Sequence, residues 1–232
     1  MNDKLDALRD ALPRLVEGLE ITLQLTLGGA ALAFLISVAF GLLSISPVGP
    51  LRWLATIVVE FFRGTSLVVQ LFWLYYVLPL FGVSMDAVWT GILALGLNYG
   101  AYGAEVVRGS INAVDKGQWE GATALNMSSL TRMRRVIWPQ AWALMLSGYN
   151  NLLIMLIKGT AVALFIGLQD LTYQISELRL STGTVFAFSV GLLIYYLFAL
   201  VFSKGLRVLE KRAFRRLGIT PRSSHAGAGA AL

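Results

Sequence analysis

The feature that most constrains this chain is a series of uncharged, apolar runs that are each about as long as a bilayer is thick. An α-helix needs about 20 apolar residues to cross a hydrocarbon core of roughly 30 Å. Only 14% of the 232 residues are charged, which is unusual for a soluble domain. The pattern therefore predicts an all-α integral membrane protein with about five transmembrane helices, at residues 17–43, 64–80, 88–107, 136–157 and 184–206.

Two stretches between these runs do not read as simple spans. Residues 51–62 are helical in pattern but are followed by Arg63 and Gly64, so they predict an approach helix before the second span. Residues 158–183 are apolar in their first half, which is too short to cross a membrane. That half predicts a bent or re-entrant helix that lines a cavity.

The distribution of charge predicts the orientation. Residues 108–135 and the C-terminal tail are basic, whereas residues 81–87 and 169–183 carry one arginine against three acidic side chains. Basic clusters beside spans mark cytoplasmic loops, and we expect them to bind no nucleic acid. The prediction is an extracytoplasmic segment at 1–16, a transmembrane domain at 17–212 and a flexible, basic cytoplasmic tail at 213–232.

Several kinds of chemistry are disfavoured by what the sequence lacks. It contains no cysteine, and its one histidine, His225, lies in a tail of small residues. There is no HExxH zinc motif and no GxxxxGK[ST] phosphate loop. We therefore expect no catalytic residue, metal site or cofactor in this chain, and a membrane enzyme is the least favoured class.

The third run has two different faces. Gly96, Gly100 and Ala104 recur every four residues, a spacing that lets another helix approach closely. A second face carries a polar series, Asn98, Tyr102 and Glu105. These groups either line a wet cavity or bond to neighbouring helices, and the sequence leaves both interpretations open. Charges inside a membrane are costly, so Glu105 with Arg108, and Glu60 with Arg63, are expected to pair across three residues.

Residues 116–139 form a basic and polar interlude between the third and fourth runs. A short helix is predicted at residues 118–125, and it closes at Asn126 because Asn tolerates the left-handed conformation that ends helices. A short helix held between two spans is suited to docking in a groove of another protein. The alternative is an ordinary connecting loop.

The interlude resembles the EAA motif of permease subunits of bacterial ATP-binding-cassette (ABC) importers. In that motif a Glu-Ala-Ala start is followed by Gly six residues after the Glu, and the segment closes on a Pro. This chain departs from the motif at two positions: Gly121 stands where the motif has Ala, and Asn126 stands where it has Gly. The resemblance implies contact with the ATPase by Gln118, Glu120, Gly121, Ala122, Asn126 and Pro139.

Three further blocks resemble the polar amino-acid permeases of these importers: EFFRGTSLVVQLFWLYYVLP, NYGAYGAEVVRGSINAVDKGQWE and LIKGTAVALFIGLQDL. The resemblance implies the type I importer permease fold in a bacterial inner membrane. It also implies a second permease copy or a sister permease, two ATPase subunits that hold ATP and Mg²⁺, and an extracytoplasmic solute-binding protein.

The resemblance also bears on the solute. The family commonly has Lys-Asp-Thr or Lys-Ser-Thr where this chain has Lys158, Gly159 and Thr160, so a frequent carboxylate is missing. A polar amino acid or a small zwitterion such as ectoine is expected. The residues predicted to line its path are Asn98, Thr160, Gln169 and Asp170.

A rival class is an ion-coupled carrier for amino acids or compatible solutes that works without an ATPase. Such carriers often contain inverted repeats and helices broken at the midplane. No convincing internal repeat relates the five runs of this chain.

Overall fold

The computed structural model describes residues 2–217, and within that part of the chain every regular element is helical. The predicted all-α class is therefore confirmed. The α-helices are α1 (Asn2–Leu43), α2 (Gly49–Gly64), α3 (Leu67–Phe72), α4 (Ala87–Asn112), α5 (Lys116–Ala124), α6 (Ser129–Arg132), α7 (Trp138–Gly159), α8 (Leu171–Thr182) and α9 (Thr184–Leu217). Helix α3 is extended by a π-helical turn (Trp73–Val77) and a 3-10 turn (Leu78–Phe81). A second π-helical turn (Met133–Ile137) leads into α7, and a second 3-10 helix (Thr160–Ile166) follows it.

Three continuous helical stretches are long and apolar enough to cross a membrane: Asp3–Leu43, Ser129–Ile166 and Thr184–Arg215. A fourth candidate is the pair formed by Gly49–Gly64 and Leu67–Phe81, which is bent by 100°. The predicted third span corresponds to α4, which is not among these apolar helices although its 26 residues would extend about 39 Å. Its glycines and polar residues lower its hydropathy, and half of its 26 residues are buried within the chain.

Helix α4 is the centre of the helical packing. A Cβ atom on Gly96 would lie 2.5 Å from the side chain of Leu32, and one on Gly100 would lie 2.7 Å from that of Ile36. Leu32 and Ile36 both belong to α1, so the small-residue face of α4 allows α1 and α4 to come into close contact. The prediction of a packing face is confirmed.

Helix α1 begins much earlier than predicted. The predicted boundary between the extracytoplasmic segment and the first span, between residues 16 and 17, falls inside one helix that runs from Asn2 to Leu43. Ala11 and Leu15 of this extension are buried against Leu171 and Ile175 at the start of α8. Ala11 and Leu15 are four residues apart and lie on one face of the helix. Because that face is buried, the helix continues beyond the uncharged run in spite of the charged residues around it.

Helix α9 also exceeds its predicted end and reaches Leu217. Residues 213–217, which were predicted to belong to a flexible tail, are therefore helical. The rest of that predicted tail, including His225, lies outside the described residues. The predicted bend after the fourth span takes the form of the 3-10 helix Thr160–Ile166, which ends at Gly167 with φ of 76°.

Candidate functional site

Helix α5 is the short helix predicted within the interlude, and both of its ends are capped. The Asp115 carboxylate accepts a hydrogen bond from the backbone N–H of Gly117 at 2.7 Å. At the other end Asn126 has φ of 53°, and it is the non-glycine residue with positive φ in the described part of the chain. The N–H groups of Asn126 and Met127 donate to the carbonyls of Thr123 and Ala122, which is the Schellman arrangement.

The inner face of α5 is fixed to the helices that follow it. Ala122 is buried, and Trp119 packs against the core cluster that includes Ile137. The guanidinium carbon of Arg132 lies 5.4 Å from the centroid of the Trp119 ring, and one of its N–H groups donates to Thr123 Oγ1 at 2.7 Å. The helix is therefore held as a rigid connection between α4 and α7.

The outer face of α5 contains most of the residues predicted to contact an ATPase. Gln118, Glu120, Gly121 and Asn126 are exposed, whereas Ala122 faces inward and Pro139 is half-buried in the first turn of α7. The side chains of Gln118 and Gln140 are joined by a hydrogen bond of 3.2 Å. The structure brings these residues to one end of the molecule, next to the exposed side chains of Leu125 and Leu130.

A second polar site lies at the break between α2 and α3, where the helix ends leave carbonyl groups without helical partners. The side-chain amide of Gln70 donates to the carbonyls of Phe62 and Thr65 at 2.9 and 3.3 Å, and to Thr65 Oγ1 at 2.7 Å. We call Thr65, Gln70 and Asn98 the break cluster. Gln70 was not singled out from the sequence, although its place in an apolar run, next to a glycine break, was a usable signal.

The polar face of α4 supplies further partners for the break. Asn98 is buried, and its amide donates to the carbonyl of Phe62 at 3.2 Å and to Gln70 Oε1 at 3.3 Å. The Tyr102 hydroxyl donates to the carbonyl of Arg63 at 3.2 Å. Of the two interpretations of this face, the geometry therefore shows bonding to a neighbouring helix. That Asn98 also lines the solute path stays a prediction.

The two predicted intrahelical ion pairs are present. Arg63 and Glu60 lie 2.9 Å apart, and Arg108 and Glu105 lie 2.5 Å apart, each with a separation of three residues. Each pair lies near the end of its helix, and the Arg63 guanidinium also stacks over the Tyr102 ring at 5.6 Å. Each ion pair lies within one helix, and the contact of Arg63 with Tyr102 joins α2 to α4.

The other residues predicted to line the solute path lie between α7 and α8. Asp170 is fully buried, and its Oδ1 caps α8 by accepting from the N–H of Tyr173 at 3.0 Å. Burial raises the pKa of this carboxyl group to about 6. Thr160 is also fully buried and donates to the carbonyl of Ile157 at 2.8 Å, whereas Gln169 is exposed.

A groove of about 920 Å³ runs along α9, between it and the helices α7 and α8. Its walls are mostly apolar, and its charged lining residues are Lys158, Lys204 and Arg207. The hydroxyls of Thr172 and Tyr195, which also line it, are 2.7 Å apart. None of the four predicted lining residues belongs to this groove, which combines side chains of α7, α8 and α9 that are far apart in the sequence.

Among the described residues, no group of three or more His, Asp or Glu side chains is arranged to hold a metal ion. The structure thus offers two features for function: the exposed face of α5 at one end, and the groove along α9. The first can dock a partner protein, and the second can accommodate a small solute.

Residues 33–215 match the family described as the binding-protein-dependent transport system inner membrane component. A probable amino-acid ABC transporter permease protein, y4tF of Sinorhizobium fredii, is 40% identical over 90% of this chain and 91% of its own length. The arginine transport system permease protein ArtQ of Bacillus subtilis is 34% identical over 91% of this chain and 98% of its own length.

Solved structures agree. One described as the crystal structure of an amino acid ABC transporter with histidines superimposes with a TM-score of 0.81 at 35% identity, covering 88% of this chain and 96% of the other. The fold is also that of a chain of the MetNI methionine ABC transporter, with a TM-score of 0.74 at 19% identity over 87% and 97% of the two chains. The chain belongs to the family of inner-membrane components of binding-protein-dependent transport systems, and it is a permease subunit of an ABC importer.

Proposed function

We propose that this permease forms half of the pathway for a polar amino acid or a related small zwitterion, and that a separate ATPase drives it through α5. The observation that carries the proposal is the construction of α5, which is capped at both ends, fixed on its inner face and exposed at Glu120 and Gly121. Such a helix transmits force without deforming.

The path of that force follows from the connections of α5. The helix is joined to α4 through Asp115 and to α7 through residues 125–138, and Trp119 packs on the core cluster shared by α4 and α7. When two ATPase subunits close on ATP, grooves that hold the two α5 helices approach each other. The long helices then tilt, so the cavity between the permease halves opens to one side of the membrane and then to the other.

The remaining partners follow from this arrangement. The face of α9 that bears the groove is proposed to meet a second copy of the chain or a sister permease. The N-terminus is proposed to lie outside and α5 in the cytoplasm, in agreement with the basic residues Arg134 and Arg135 beside it. An extracytoplasmic binding protein would deliver the solute. Relatives named as amino-acid permeases support this class of solute.

ATP is proposed to bind the separate ATPase subunit and not this chain. The chain contains no phosphate loop, so ATP and Mg²⁺ are expected in the ATPase subunit, and no cofactor is expected here. Solute contact by Asn98, Thr160, Gln169 and Asp170 stays a prediction, and none of the four lines the groove along α9. Of these, Gln169 has the exposed side chain, so it is the one most accessible to a solute.

Reconstitution tests the proposal. The permease, the ATPase and the binding protein encoded with it are placed in proteoliposomes, and uptake of radiolabelled amino acids is measured with ATP, without ATP and with the permease alone. Uptake that requires ATP and all components is the expected result. Uptake by the permease alone, driven by a proton or sodium gradient, would instead identify an ion-coupled carrier.

A further inference from the structure

We infer that the groove along α9 selects carboxylate-bearing solutes of zero or negative net charge, and that its cationic side chains, Lys158 among them, attract the carboxylate. The inference rests on the proposed function, since it assumes that the solute passes through this groove. It adds the charge class of the solute, which the similarity to amino-acid permeases leaves undetermined.

The first step is the charge of the groove. Its lining includes three cationic side chains, Lys158, Lys204 and Arg207, and no aspartate or glutamate. Apolar walls surround these charges, and low-dielectric walls strengthen the field that a bound solute experiences. An anionic group is therefore attracted into the groove, while a solute with net positive charge is repelled by these like charges.

The second step concerns Gly159, the residue after Lys158, which has no side chain to carry a charge. A Cβ atom on Gly159 would collide with the hydroxyl oxygen of Tyr99 and lie 3.0 Å from its ring. That hydroxyl is fixed because it donates to the carbonyl of Met155 at 2.9 Å. Tyr99 thus occupies the space of a side chain at position 159, and a carboxylate there is excluded.

The third step concerns the acidic residue at the start of α8. Asp170 is fully buried and caps its own helix through Tyr173; its carboxyl group lies behind the groove, against Thr172, and does not line it. The groove instead presents the hydroxyls of Thr172 and Tyr195, which are uncharged hydrogen-bond acceptors and donors. They can bind the ammonium group of a zwitterion, but they do not neutralise the extra cation of a basic amino acid.

The test measures binding to the purified permease–ATPase complex without the binding protein, so that the selectivity of the permease is observed directly. The probes are L-glutamine, L-glutamate and L-arginine. We expect glutamine and glutamate to bind at least tenfold more tightly than arginine. Arginine binding as tight as that of glutamine, or no binding of any probe at millimolar concentration, would overturn the inference.

Variants of one residue test the assigned role of Lys158. Lys158→Gln is expected to weaken binding of glutamine and glutamate at least tenfold, and Lys158→Arg to retain it. Lys4→Gln is the matched control, because Lys4 is exposed on the N-terminal extension of α1. Unchanged binding in a folded Lys158→Gln complex would contradict the assignment. If the Lys158→Gln complex does not assemble, the comparison of the three probes on the unmodified complex still tests the inference, because it needs no variant.

Failure of the inference is distinguishable from failure of the proposed function. A complex that imports solute with ATP but binds arginine as readily as glutamine refutes only the charge selection. A permease that never assembles with an ATPase refutes the proposed function itself.

Discussion

Two polar interruptions of the apolar pattern, one at the break between α2 and α3 and the other at α5, are used in opposite ways. At the break, Gln70 and Asn98 are buried and bond to each other and to the carbonyl of Phe62. At α5, Glu120 and Gly121 are exposed on a helix whose other face is packed. Polar groups with partners inside the chain hold its shape, whereas exposed ones on a rigid support are available to another protein.

Because of this difference, substitutions at the break are expected to change the stability of the permease, and substitutions on the outer face of α5 are expected to change its proposed coupling to the ATPase. Removing a side chain of the break cluster leaves a buried carbonyl or amide without a partner, which costs free energy of folding. Removing or reversing a side chain on the outer face of α5 leaves the folded chain almost unchanged. The stability predictions below run from the largest expected effect of a substitution to the smallest.

The largest effect is expected for Gln70→Leu. The substitution removes the donor to Phe62 and Thr65 and leaves Asn98 with one acceptor fewer, so the free energy of unfolding is expected to fall by about 2 kcal/mol. The measurement is unfolding of the purified permease in mixed micelles. Gln24→Leu is the control, since Gln24 is exposed on α1. Equal losses in the two variants would show that the break cluster does not hold the bend.

A smaller effect is expected at Asp170, a third polar interruption, which lies in the connection between α7 and α8. Asp170→Ala removes the cap of α8 and is expected to cost about 1 kcal/mol, whereas Asp170→Asn retains a capping oxygen. Thermal melts of the two variants at pH 7.5 measure the difference. A greater loss in the Asn variant than in the Ala variant would contradict the capping role.

The same residue predicts a pH dependence. Burial raises the pKa of Asp170 from 3.8 to about 6, so the folded protein binds this proton more tightly than the unfolded chain. The contribution of Asp170 to stability therefore increases as pH falls through 6, and it becomes constant below about 4. Wild type is expected to gain more stability than Asp170→Asn between pH 7 and pH 5, as measured by thermal melts at those two pH values. An identical gain would exclude Asp170 as its source.

The smallest effect is expected for Gly121→Ala. No atom lies within 4 Å of a Cβ built on Gly121, so the alanine is accommodated and is expected to stabilise the protein by about 0.5–1 kcal/mol. Gly96→Ala is the matched contrast, because its Cβ collides with Leu32 between α1 and α4. A loss of stability in Gly121→Ala would show that the outer face of α5 is less open than described.

Much of the fold could be predicted from local pattern. Uncharged runs predicted the long helices, four-residue spacing of small side chains predicted the packing face of α4, and Asn126 predicted the end of α5. The extension of α1 was missed because Ala11 and Leu15 alternate with charged residues, and only the position of α8 shows what they pack against. The low hydropathy of α4 likewise reflects burial by other helices.

The sites were less predictable, for a physical reason. Asn98 and Asp170 have the residue types of solute contacts, but their burial and bonding depend on how distant segments meet. The groove along α9 combines side chains from residue 154 to residue 207, so no local motif contains it. Helix α5 was the exception, because its caps, Asp115 and Asn126, and its exposed face are all encoded within residues 115–126.

The central claim is that α5 couples this permease to an ATPase, and Glu120→Arg tests it most directly. Co-purification of the ATPase and ATP-dependent uptake are measured on the membrane-inserted variant, with Asp6→Arg as a charge-reversal control at an exposed position on α1. We predict that Glu120→Arg loses both ATPase binding and uptake while its melting temperature stays within about 2 °C of wild type. Normal ATPase binding and normal uptake in Glu120→Arg would contradict the account.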